Sequence, residues 1–272
     1  MNRSAPRTGR HGLDARSRAA IGTTIASGVL TTLAGAPHQL AHLFRRRFPL
    51  VAVTGVTGVG KTRLADRLAR RTTSSDAPGT PDVGSAVMER RTRRTAQGRG
   101  FRLRVVPGDN AATRLGALDE VFHDEPVDGI LHVVAYGHAT PRRVGGTSGS
   151  APESTREQQL AAELQDWSIT AHLIASMAVR RDHPIWLVIV VTKADLFPEQ
   201  IEEAIRYYSP GSGSPFAEKL DELRALAGGA KLSIDVLPMA TETAADSGLS
   251  EKARAQLQTA LENRMSQLSG HE

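Results

Sequence analysis

Gly55, Gly60, Lys61 and Thr62 stand in the spacing G-x-x-x-x-G-K-T within "VAVTGVTGVGKTRLADRLAR". These residue types at that spacing hold a phosphate chain. The glycines let the backbone bend and come close to the phosphates. N–H groups freed by the turn and by the helix start point at the anion. Lys61 reaches the β- and γ-phosphates, and the Thr62 hydroxyl ligates Mg²⁺. Gly58 helps the turn wrap, although the pattern does not require it. An apolar strand run precedes the turn and an amphipathic run follows it, which is the context this chemistry needs.

Far downstream, "VIVVTKADLF" carries Thr192-Lys193-Ala194-Asp195 at the end of the most apolar run of the chain. This resembles the [NT]-K-x-D guanine motif of P-loop GTPases. Guanine presents an N1–H beside an exocyclic amino group, and one carboxylate accepts both. Adenine lacks that donor pair and leaves the carboxylate unpaired, at a cost of about 1–3 kcal/mol or more. Asp195 is therefore the candidate base reader, although an Asp in this place also serves as a helix cap. Together the two motifs resemble the Ras-like and Era-like (translation-factor-related) class of P-loop GTPases, over about Leu50 to Leu268.

The resemblance implies GTP or GDP with Mg²⁺ as ligands. It implies that Lys193 lays its stem along the base and ties back to the phosphate loop. Thr192 stands where Asn is commoner. Ala240, in "VLPMAT", falls where a backbone N–H meets guanine O6. Thr80, in "PGTPDVG", is the candidate switch threonine that reaches Mg²⁺ and the γ-phosphate; Thr92 and Thr95 fall inside or beyond a strand.

One family motif fails. In "RLRVVPGDN" the D-x-x-G pattern has its Gly at Gly108, but Val105 stands where the Asp belongs. That Asp normally helps to hold Mg²⁺. Gly108 still offers a backbone N–H to the γ-phosphate. Asp109 follows at the place of the glutamine that orients the attacking water. Two alternatives stay open here. Asp109 supplies the missing carboxylate from a shifted position, or the site holds its metal weakly and hydrolyses GTP slowly or not at all. Arg142 and Arg143 are conceivable arginine fingers.

The elements that position these residues follow from periodicity. Strands are predicted at Leu50–Val53, Gly129–Ala135, Ile185–Val191 and Leu232–Leu237, with a hairpin pair over Ser85–Thr95 and Gly100–Val106. Helices are predicted at Lys61–Arg71, Ala111–Val121, Glu157–Arg180, from Pro198 with a break at "SPGSGSP", and at Ser250–Leu268. This alternation predicts a three-layer α/β/α P-loop domain with a mostly parallel, six-stranded sheet over 49–269. Loops are predicted at Thr72–Gly84 and, long and flexible, at 137–155. Ahead of the domain lie a basic tail, 1–14, predicted disordered, and a helical segment, 15–48. Within that segment Ala19–Phe44 carries no formal charge, and Ile21, Ile25, Val29, Leu33, Leu40 and Phe44 share one helical face. An amphipathic helix that docks on the domain, a partner or a membrane surface is the expectation, rather than a membrane span.

The 272 residues hold no cysteine, which excludes disulfides, thiol catalysis and cysteine-ligated zinc, and fits a cytoplasmic location. The net charge of +5 comes from arginine far more than from lysine. "ERRTRRTAQGRGFRLR", residues 89–104, is a dense basic hairpin. Such a patch binds a nucleic-acid backbone, or keeps an edge strand soluble. The functional expectation is a low-activity GTPase acting as a GTP/GDP switch on a protein partner. The alternatives are a catalytically impaired assembly module, and a nucleic-acid- or ribosome-associated GTPase.

Overall fold

β1 (Leu50–Thr54) is buried at every residue because it lies inside the sheet with helices on both faces. It pairs in parallel with β3 (Gly100–Val105) on one side and β4 (Gly129–Val134) on the other. β5 (Ile185–Val191) and β6 (Leu232–Pro238) continue the parallel sheet, and β2 (Glu89–Arg94) pairs antiparallel with β3. The order is β2-β3-β1-β4-β5-β6, so the predicted six-stranded, mostly parallel sheet is present. The structure, a computed structural model, describes residues 48–69, 88–94, 100–108, 111–140, 154–241 and 248–271. The predicted tail, the amphipathic segment ahead of Phe48, Thr80 with its loop, Asp109, and most of the 137–155 loop lie outside them.

Side chains alternate between two layers, as the strand period of two requires. Ala52, Ile130, Leu187 and Ile189 face one core, and Val53, Leu131, Val188 and Val190 face the other. The first core is covered by α2 (Ala111–Asp119), α3 (Arg156–Arg180), α4 (Ile201–Tyr207) and α5 (Pro215–Ala227), through Leu118, Trp167, Ile174, Ile201 and Phe216. The second is covered by α1 (Lys61–Leu68) and α6 (Glu251–Leu268), through Leu64, Leu68, Leu261 and Met265. The three predicted layers are thus in place. Among the described residues, no helix is long and apolar enough to cross a membrane.

Helix starts follow local chemistry. Thr155 accepts from Gln158 N, and Gln158 reaches back to Thr155 N, which makes a capping box for α3. Ser250 caps α6 through Ala253 N. The "SPGSGSP" break has the same logic. Ser214 accepts from Ala217 N at 3.0 Å and Pro215 opens α5, so the run is a turn plus an N-cap.

The basic hairpin is held by the protein's own carboxylates. Arg91 Nε lies 2.6 Å from Asp66 of α1, and Arg91 Nη2 2.7 Å from Glu89. Arg93 pairs with Glu262 of α6 at 2.7 Å. Arg104 pairs with Glu120 and Glu125, and Arg90 with Glu120. Arg91 and Arg93 thus tie the edge strand β2 to α1 and α6, and Arg104 ties β3 to Glu120 and Glu125, while Arg90 and Arg102 keep exposed side chains.

Gly129 sits beside Trp186 across the β4–β5 ladder, and a Cβ there would lie 2.1 Å from the indole ring. Gly129→Ala is expected to destabilise the fold by about 1–3 kcal/mol, measured as a lower midpoint in urea denaturation.

Candidate functional site

The C-terminal ends of β1, β3, β4 and β5 and the segment after β6 converge, and every described candidate residue lies there. Gly55 has φ 129°, and a Cβ on it would lie 2.2 Å from Val133 O, so only glycine lets this turn pass over β4. Gly58 is held as tightly. It has φ 82°, a Cβ would lie 2.1 Å from Thr140 O, and its carbonyl accepts from Thr140 N at 3.0 Å. The motif pattern leaves this position free, but this chain does not.

Gly60 precedes α1, and no acidic residue occupies the first turn of that helix. Its N-terminus therefore carries an uncancelled partial positive charge. Lys61 is 8% exposed, and its ammonium donates to Gly55 O and Val56 O, both at 2.8 Å. The turn thereby holds the cation across its own mouth. Thr57, Lys61, Thr62 and Arg63 line a cavity whose opposite wall is Val105 to Gly108. Val106 N donates to Val53 O, which fixes that wall to β1. Gly108 is pressed against the turn, since a Cβ would meet Lys61 Nζ and Thr57 Oγ1 at 2.6 Å. Val105, at the place of the D-x-x-G aspartate, thus lines the same cavity as Thr62.

The base-reading candidates join this turn through a hydroxyl. Thr192 Oγ1 lies 2.6 Å from Val59 O and 2.9 Å from Val134 O, fully buried. Lys193, at φ 57°, donates from Nζ to His138 O at 2.8 Å and to Thr140 Oγ1. The resemblance gave the tie to the phosphate loop to Lys193. Here Thr192 bonds the loop directly, and Lys193 binds the segment whose Thr140 grips Gly58. Asp195 is 5% exposed, in a loop that also bonds Met239 O through Ala194 N at 3.2 Å. Ala240 follows directly and is buried, so the third guanine candidate lies beside the second. Thr80 and Asp109, the catalytic candidates, and Arg142 and Arg143 lie outside the described residues.

Two buried carboxyls that the sequence reading does not single out support this arrangement. Glu163 on α3 accepts from Ala135 N at 2.9 Å and from the Tyr208 hydroxyl, and so anchors the segment that reaches Lys193. Burial pushes its carboxyl up to about 7. Asp166, one helical turn on, is paired with Arg114 of α2 and lies 4.0 Å from His132 Nε2. Burial raises the Asp166 carboxyl from its ordinary value and holds His132 well below its own, so the imidazole is neutral. His132 Nδ1 lies 2.9 Å from Thr54 Oγ1, at the root of the phosphate turn. The only advance signal was a helix-period position, which an apolar residue would fill equally well.

No family model and no curated protein matches the chain. Solved structures do. An S. thermophilus NFeoB mutant bound to GMPPNP is 13% identical, with 83% of this chain and 64% of that one covered and a TM-score of 0.45. The bacterial selenocysteine-specific elongation factor EF-Sec is 15% identical, over 82% of this chain and 29% of that one, with a TM-score of 0.44. The FeoB G-domain from Methanococcus jannaschii is 13% identical, over 82% and 99%, with a TM-score of 0.40. The chain thus spans less than two thirds of the first two.

Glu163 sets a pH dependence. Its folded-state carboxyl is raised from 4.5 to about 7, so its contribution to stability is full below about 4.5 and lost as pH rises through about 7. Thermal melting should show a decline on the order of 3 kcal/mol across that window, and Glu163→Gln should flatten it.

Proposed function

We propose that the chain binds GTP and GDP and acts as a low-turnover switch read by a protein partner. One observation carries the proposal: the Thr192 hydroxyl bonded to Val59 O. It sets a phosphate-type turn and a loop with a buried carboxylate, Asp195, in one fixed frame. A phosphate cradle alone suits many anions. A carboxylate held at a set distance from it suits a base with two adjacent N–H donors. In this proposal Gly55, Gly58, Gly60, Lys61 and Thr62 take the phosphates, and Thr192, Lys193, Asp195 and Ala240 take the base. Gly108 senses the γ-phosphate from the opposite wall, and the switch parts of this proposal are 72–84 and the segment that starts at Gly108 and runs to Leu115. Asp109 takes the water-orienting role and Thr80 the switch-threonine role, both outside the described residues. Hydrolysis to GDP and phosphate is slow, because Val105 offers no carboxylate. That same valine favours the second reading, a nucleotide-binding assembly module without turnover. For the nucleic-acid reading, Arg91, Arg93 and Arg104 are already held by carboxylates of the fold, while Arg90 and Arg102 keep exposed side chains.

Titration with fluorescent GTP, GDP and ATP tests the proposal. Both guanine nucleotides should bind, and ATP should bind at least about a hundredfold more weakly. Asp195→Asn should weaken GDP binding by about tenfold or more with unchanged thermal melting. A preference for ATP would refute the role given to Asp195. Phosphate release then separates a slow GTPase from the assembly module.

A further inference from the structure

Metal retention in a phosphate-turn site needs two protein oxygens: the Ser or Thr hydroxyl after the lysine, and a carboxylate on the facing strand. Thr62 supplies the first. At the second place stands Val105, which is 3% exposed and packed into the core beneath α1, so its methyls offer no lone pair. Two carboxylates of the described residues that lie on the neighbouring helices are committed elsewhere. Asp66, one turn beyond Thr62 on α1, bonds Arg91 at 2.6 Å. Asp166 pairs with Arg114 behind the turn. Among the described residues, no carboxylate lines the cavity, and no cluster of three His, Asp or Glu suits a metal. The described donor set does not fit a firmly held Mg²⁺.

The same cavity is rich in positive charge. Lys61 and Arg63 both line it, and the N-terminus of α1 opens into it without an acidic residue in its first turn. Protein cations and backbone N–H groups are there to neutralise a diphosphate that a metal would otherwise share. We infer that this site takes its guanine nucleotide in a metal-independent way, with Lys61, Arg63 and the turn amides carrying the phosphate charge and Val105 as the residue that dismisses Mg²⁺. The inference rests on the guanine-binding proposal above and adds to it a property of the ligand bound: free GDP or GTP rather than its Mg²⁺ complex.

The test uses the full chain with fluorescent GDP, titrated in excess Mg²⁺ and in EDTA. The wild type should bind with Kd values within about threefold of each other, and Val105→Asp should bind about tenfold or more tightly in Mg²⁺ than in EDTA. Wild-type binding that needs Mg²⁺ overturns the inference and leaves the guanine proposal standing. If that need vanishes in Asp109→Asn, the carboxylate lies at 109. Absence of guanine-nucleotide binding under both conditions overturns the proposed function, and this inference with it. A Val105→Asp variant that melts like the wild type and gains no metal dependence overturns the role of position 105. Because that variant places a carboxylate in the core, a second measurement stands apart from it. Wild-type chain desalted after loading with GDP and Mn²⁺ should keep the nucleotide and lose the Mn²⁺, read by electron paramagnetic resonance. Stoichiometric Mn²⁺ retention overturns the inference.

Discussion

Parallel strands in register end on the same side, and that constraint organises the molecule. Val53 lies opposite Val105, and Thr54 opposite His132. The 55–60 turn therefore leaves β1 between the wall that follows β3 and the segment that follows β4. β5 delivers Thr192 to the same edge, where its hydroxyl meets Val59 O. None of these loops needs a long excursion to reach the others. The candidate site is a property of the sheet edge, and the helices are spaced to leave that edge open.

The supports behind the edge are polar where a core is normally apolar. Glu163, Asp166 and His132 are all nearly fully buried, and each has hydrogen-bond or ion-pair partners within reach. Such groups add little net stability, because burying them costs about as much as their pairing returns. They do fix geometry. Apolar side chains tolerate small slides, whereas Glu163 must meet Ala135 N and the Tyr208 hydroxyl together. The segment from Ala135 to Thr140 is thereby set relative to α3, and through Lys193 relative to the base-side loop.

The sheet, the phosphate turn and the "TKAD" loop were legible because each is a local pattern: a strand period of two, a glycine spacing, a motif at a strand end. The break at "SPGSGSP" is a local signal as well, and Ser214 gives it its meaning as a helix cap. What could not be read depends on contacts between distant parts of the chain. Thr140 bonds Gly58, and Arg93 bonds Glu262 across 169 residues. The pairing of Arg91, Arg93 and Arg104 inside 89–104 depends on such distant partners, whereas the charge density of the stretch is local. The role of Thr192 was hidden for the same reason, since its partner carbonyl lies 133 positions earlier.

Those staples also bear on the order of events during synthesis. β2 and β3 are neighbours in the chain and can pair early, but the carboxylate that meets Arg93 lies on the last helix. Until α6 emerges, a nascent chain carries an edge strand with part of its positive charge uncompensated. Charged side chains resist pairing with a second copy of the same strand. The arginines that bind α1 and α6 in the finished fold are the same charges that disfavour such edge-to-edge pairing.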